Sequence, residues 1–247
     1  MHRRVAGWPA PPREMNGEFL IPGPLYRDRI EAGRALAGKL EAERGPELVV
    51  VGLARGGVQV AAEVARILAA PLDAVAVRKV GHPLQPEYGI GAVTPGDGVY
   101  VRGPDGLTEE ELAAAVEEAK AKAALLDQRL HAEDPPLDLR GKTVLVVDDG
   151  LATGATMIAA LRWTRAAGEA ARVVAAVPVA AAASLALLPS EADAVVCQHA
   201  LEPFFAVGVW YESFAQVDDG EVIRLLRENR REHARAAASP AESGRGS

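Results

Sequence analysis

Four apolar residues in a row, Val144 to Val147, run straight into two carboxylates, Asp148 and Asp149, and this junction constrains the fold more than any other stretch. A strand with one wet face alternates polar and apolar residues, whereas a parallel strand covered by helices on both faces does not. The run therefore predicts a buried central strand. After the acids come Gly150, Leu151, Ala152, Thr153, Gly154, Ala155 and Thr156, which lead into a helical run from Met157 to Ala167 closed by Gly168. Glycines let the backbone turn tightly, and amides at a helix amino end point outward toward an anion. The stretch predicts a phosphate cradle with an acidic lip.

Carboxylates repel phosphate, so a polyol is their natural partner, each accepting hydrogen bonds from hydroxyls. Ribose beside a phosphate satisfies both demands, with Thr153 and Thr156 adding hydroxyl donors. An apolar strand, two acids and a Thr-Gly-x-Thr loop resemble the signature of type I phosphoribosyltransferases. The resemblance implies that Asp148 and Asp149 hold the 2′ and 3′ hydroxyls of phosphoribosyl pyrophosphate. It implies equally that the loop Gly150, Leu151, Ala152, Thr153, Gly154, Ala155, Thr156 holds the 5′-phosphate.

The same shape occurs earlier, where the strand Leu48 to Val51 runs on to Ala54-Arg55-Gly56-Gly57 and a helix with Val60, Val64 and Ile67 or Leu68 inward. A bare Gly-Gly serves any tight strand-to-helix turn. Arg55 adds a cation at the carboxyl edge of the sheet, where an anion would sit. In the resembled family this turn is the pyrophosphate loop, often with a cis peptide, so Ala54 to Gly57 are expected to bind pyrophosphate. The strand Leu72 to Val77 ends at Arg78-Lys79. Lys79 is either a solvated loop charge or a point charge for the leaving group, and the second reading makes Arg55 and Lys79 the expected catalytic residues.

Strands and helices alternate along residues 25–230. This predicts a single α/β domain, a doubly wound, mostly parallel sheet with helices on both faces. Tyr26 to Glu43 is expected as a helix with Ile30, Gly33, Ala37 and Leu40 inward. Gly81 to Gly103, rich in glycine and proline, is expected as a lid that closes over the reaction. Within it His82 and Glu87 are either ordinary loop residues or acid and base. Thr108 and Glu111 form a capping box for a helix whose stripe Leu112, Val116, Ala119, Ala123, Leu126, Leu130 would pack on the sheet or on a second subunit, a homodimer. Arg172 to Val179 and Ala194 to Cys197 are further strands around a short helix. Residues 199–217 carry Phe204, Phe205, Trp210, Tyr211 and Phe214. They form either a satellite hydrophobic cluster or a hood in which Phe204, Phe205, Trp210 and Tyr211 meet the acceptor. Asp218 to Glu228 is a last helix. Residues 1–24 are expected as an irregular extension and 231–247 as a disordered tail.

A net charge of −7 gives no footprint for nucleic acid, so anion capture must be local. The single cysteine, Cys197, excludes an internal disulfide and follows two valines as a small hydrophobe. Met1 to Ala10 lacks the apolar core of a signal peptide, and Val173 to Ser190 is mostly alanine, broken by Pro178, and too short to span a membrane. A cytoplasmic protein without membrane contact is expected.

A receiver domain also opens with an acidic pair after a strand, but it needs a later lysine, and none follows Lys142. No Gly-Lys-Ser/Thr follows a glycine loop, which excludes a nucleoside-triphosphate P-loop. The resemblance thus implies transfer of phosphoribosyl to a nitrogenous base, with magnesium carried by the pyrophosphate and reaching Asp149 through water. A non-catalytic regulator that binds the same donor is the alternative. Ala152 stands where 6-oxopurine enzymes of the family carry an aspartate base, so no proton transfer is available from that position.

Overall fold

Strand β6 (Thr143–Val147) lies at the centre of a five-stranded parallel sheet, between β1 (Leu48–Ala54) and β7 (Arg172–Ala181). Strand β2 (Leu72–Ala76) flanks β1, and β8 (Ala194–Leu201) flanks β7. The structure is a computed structural model in which residues 23–103, 106–166 and 169–238 are described. Most of the expected amino-terminal extension, Gly168 and residues 239–247 lie outside them, as does the side chain of Glu87.

Both faces of the sheet are covered, which explains the missing alternation. Val50, Leu145, Val147 and Val174 face a layer built by α1 (Arg29–Lys39), α2 (Gly56–Leu68) and α6 (Asp219–Ala238). Val49, Val51, Val144, Val146 and Val173 face α4 (Ala155–Ala166). With both faces apolar, the ends of β6 set its register. A slip of one residue would draw Asp148 into the sheet, where a carboxylate has no partner. The doubly wound arrangement expected from the sequence is the one the chain adopts.

Two expectations are corrected. Helix α1 buries Arg29, Ala32, Gly33, Leu36 and Ala37, while Ile30 is 42% exposed. Gly33 sets this face, since a Cβ there would lie 2.7 Å from the Val60 carbonyl oxygen of α2. The glycine- and proline-rich segment expected as a lid carries regular structure, most of an antiparallel sheet of β3 (Arg78–His82), β4 (Gln85–Val93) and β5 (Val99–Val101) for which the sequence carried no strand signal. Its glycines allow close strand approach: a Cβ on Gly91 would lie 3.0 Å from the Cα of Val101.

Helix α3 (Glu109–Leu130) starts at the expected capping box of Thr108 and Glu111. Its stripe packs within the chain, Leu112, Val116 and Ala119 against Val80, Ile90 and Val93, and Leu126 and Leu130 against the main core. Helix α6 continues past Glu228 to Ala238, into the span expected as tail. Among the described residues, no helix is long and apolar enough to cross a membrane.

Candidate active site

The registers bring three loops to one edge of the sheet. Ala54 of β1 pairs with Ala76 of β2, and Gly52 pairs with Val147 of β6. The turn after β1, the Arg78-Lys79 segment and the acidic pair after β6 therefore leave together at the carboxyl ends. Between β1 and β6 the chain reverses its direction of winding, which is where open α/β sheets bind ligands. A cavity of about 750 Å³ opens there, lined by Arg55, Lys79, Asp148, Asp149 and Thr153 among others.

Helix α2 starts in the turn Arg55-Gly56-Gly57, and the Ala54–Arg55 peptide is cis. Gly57 is required by proximity: a Cβ would lie 2.8 Å from the Val147 carbonyl oxygen and 2.9 Å from the Cα of Asp148. The turn thus abuts the acidic pair. Ala54, Arg55 and Gly56 line the cavity, while Gly57 is buried behind them. Arg55 donates from Nε to Oδ1 of Asp219 at 2.7 Å, and Arg129 approaches the other oxygen at 3.3 Å. Burial works against the charge on Asp219, but these bonds hold its carboxyl below the ordinary range.

Arg78 and Lys79 both line the cavity beside Arg55. Burial, then the charge of Arg55, pushes the Arg78 guanidinium below its usual range, as expected where cations crowd a part-buried place.

Asp148 accepts from the amide of Asp149 at 2.9 Å. Its carboxyl is pushed well above the ordinary value, first by burial and then by the charge of Asp149. Burial also raises Asp149, but Arg29 opposes this with a 2.7 Å ion pair.

The phosphate loop divides its residues between two tasks. Leu151 is buried and makes a parallel bridge to Ala180 within β7, and Ala155 is buried at the start of α4. Gly150, Ala152, Thr153, Gly154 and Thr156 line the cavity, with Gly154 at φ +80°, a conformation suited to glycine. Ser184 fixes the loop by donating to the Ala152 carbonyl at 2.6 Å.

The aromatic segment forms the satellite cluster, and of the four residues expected to meet an acceptor only Phe205 lines the cavity, because the apolar area of Phe204, Trp210 and Tyr211 is used in the packing. Trp210 and Tyr211 are buried with Tyr26, Ala32 and Val179, and Phe204 packs against this cluster. Phe205, 62% exposed, lines the cavity together with Ala206, Val207, Gly208 and Phe214. His82 lies outside this cavity, lining a neighbouring cleft against α3 and accepting from the Leu84 amide at 3.2 Å.

Sequence reasoning gave no role to Arg29, Arg78 or Asp219, and it counted Phe214 in the aromatic segment without setting it among the four acceptor residues. Of the first three, Arg78, adjacent to Lys79 at a strand end, carried a signal that position alone could have revealed.

Residues 26–213 match the model of the Phosphoribosyl transferase domain. Two Mycobacterium tuberculosis proteins, named "Putative phosphoribosyl transferase MT0597" and "Putative phosphoribosyl transferase Rv0571c", are each 43% identical over 219 residues. The match covers 87% of this chain and 49% of each of them, so the chain spans about half the length of these curated relatives. The crystal structure of TT1426 from Thermus thermophilus is 38% identical, with a TM-score of 0.70 over 82% of this chain and 98% of that one. A match over residues 26–213 takes in the turn after β1, the Arg78-Lys79 segment and the loop after β6, and the chain belongs to the phosphoribosyl transferase domain family.

Proposed function

We propose that the chain transfers the 5-phosphoribosyl group of phosphoribosyl pyrophosphate to a nitrogenous base and releases pyrophosphate. One observation carries this reading. Across the sheet edge, the cationic turn after β1, the acidic pair after β6 and the Thr-Gly-x-Thr loop toward β7 follow each other. Pyrophosphate, ribose and 5′-phosphate follow in the same order along the donor.

As the bond from the anomeric carbon to pyrophosphate breaks, negative charge gathers on the leaving group and positive charge on the ribose ring. Arg55, Arg78, Lys79 and the amides of the Gly56-Gly57 turn are placed to stabilise the first. Asp148 and Asp149 hold the diol and lie beside the second. Preorganised contacts of this kind contribute about 3–4 kcal/mol each in other enzymes. Phe205 and the backbone of 206–208 border the acceptor.

Magnesium carried by the pyrophosphate would supply further neutralisation of the leaving group. Among the described residues no group of three or more His, Cys, Asp or Glu side chains could hold a metal ion by itself. Asp148 and Asp149 fit such an ion as partners of its water shell, not as a chelating set.

A donor-binding regulator without catalysis is the second reading, favoured by the Arg55–Asp219 pair, which engages the cation of the turn. Pyrophosphate release measured across purines, pyrimidines, orotate, nicotinate and quinolinate separates the two. Release with one base supports the enzyme and names its acceptor; donor binding with release from none supports the regulator.

A further inference from the structure

Arg29 stands at the first position of α1, on the face that packs inward. A buried guanidinium must find partners for its N–H groups, and those it finds are informative. Its side chain is 8% exposed, and Nε donates to Oδ2 of Asp149 at 2.7 Å. Nη1 donates to the Ala215 carbonyl at 2.8 Å, and the guanidinium lies 3.7 Å from the centre of the Phe214 ring. Arg29 and all three partners line the same cavity. They belong to separate parts of the chain, one to the acidic pair and two to the aromatic segment 199–217.

We infer that Arg29 is a positioning residue that locks the Asp149 carboxylate to the Phe214–Ala215 segment, so that the ribose-binding acid and the wall beside the acceptor are held as one unit. The inference rests on the donor reading above. The planar fork of arginine is what permits this, since one edge meets a carboxylate, another a carbonyl, and the face an aromatic ring. A lysine keeps the charge but offers a single point, and cannot serve all three.

The charged and titratable groups facing the acidic pair are Arg29 from α1, Lys79 from β3 and Tyr211 from the hood. Of these, Arg29 makes the direct ion pair with Asp149. Removing its charge leaves both carboxyls raised by burial, and they then protonate at higher pH.

The test compares wild type, Arg29→Met and Arg29→Lys in the full chain. Carboxyl carbon resonances of Asp148 and Asp149 are titrated by NMR without ligand, and affinity for magnesium phosphoribosyl pyrophosphate is measured against pH. In Arg29→Met the Asp149 carboxyl should titrate about one pH unit higher or more, a tenfold change in proton affinity. Donor affinity should fall, and the deficit against wild type should narrow as pH rises. Arg29→Lys should restore the titration while the Phe214 ring resonances stay shifted. If Arg29→Met does not fold, Arg29→Gln takes its place. An Asp149 titration unchanged in the neutral variant overturns the inference. If wild type fails to bind the donor, the donor reading falls, and the ligand-free titration still decides whether Arg29 positions Asp149.

Discussion

The phenol of Tyr211 donates to the main-chain carbonyl of Asp149 at 2.5 Å, joining the aromatic segment to the backbone of the acidic pair. Burial pushes this phenol above its ordinary range, so it remains a donor at every physiological pH. Tyr211→Phe removes the donor and leaves the carbonyl in a part-buried place, a loss of about 1–3 kcal/mol. For a chain of this size that lowers the melting temperature by about 2–4 °C per kcal/mol. Thermal denaturation of the variant checks it, and an unchanged midpoint would contradict the brace.

Asp148→Asn should make the protein more stable while it loses donor binding. The native carboxyl is raised by burial and by Asp149. As pH climbs past the ordinary carboxylate range, the unfolded chain therefore ionises first, and the native state grows relatively less stable. The amide escapes that penalty, so its advantage should widen from about pH 4 upward, where an ordinary aspartate ionises. Melting curves across the acid-to-neutral range measure it; a variant less stable than wild type at neutrality would refute the assignment.

His131 joins α3 to β2 through a 3.0 Å contact with the buried Asp73, and Asp127 lies at 3.2 Å. Burial opposes its charge, but the hydrogen bonds and charges of Asp127 and Asp73 prevail and raise its pKa from 6.5 to about 10. A raised pKa contributes stability in full below the unfolded value and loses it as pH approaches the folded one. Wild type should therefore weaken between pH 6.5 and about 10. His131→Gln should be flat across that window and weaker at about pH 6 by about 1.5–3 kcal/mol. Urea titrations at both ends of the range suffice to test this.

Asp219 engages both Arg55 and Arg129. Asp219→Asn should free these guanidiniums for an anion, tightening pyrophosphate binding severalfold and steepening its decline with salt. The cost to folding should be small, about 0.3–1 kcal/mol, since the carboxylate stands in the first turn of α6 where it favours the helix dipole. Calorimetry with pyrophosphate at two ionic strengths reads both effects, and weaker binding in the variant would rule out competition by Asp219.

The parts of the site that could be read in advance were those whose chemistry is local. Asp148 and Asp149 follow an uninterrupted apolar run, and Gly56 and Gly57 follow another, so strand, turn and helix announce themselves within a few residues. The partners of those groups were hidden because they come from elsewhere in the chain. Arg29 lies 120 residues from Asp149, in a helix whose buried face is mostly alanine and glycine beside a charge, a pattern with little hydrophobic contrast. Arg55 and Asp219 are 164 residues apart. The sheet of β3, β4 and β5 was masked by glycines and prolines that usually mark loops. Phe204, Phe205, Trp210 and Tyr211 drew attention as aromatics near a ligand, yet only the exposed Phe205 lines the cavity, joined by Phe214, while the area of Trp210 and Tyr211 is used in the core.

The central claim is that one cavity holds phosphoribosyl pyrophosphate along the edge from Arg55 to Thr156. Its most direct test is titration calorimetry of the full chain with the magnesium complex of that donor, alongside a variant with Asp148→Asn and Asp149→Asn together. The account predicts one site per chain in wild type, a melting temperature that rises as ligand at about 100 times its dissociation constant adds about 2.7 kcal/mol, and loss of both in the variant. Donor binding of equal strength in the variant, or none in wild type at millimolar ligand, would contradict it.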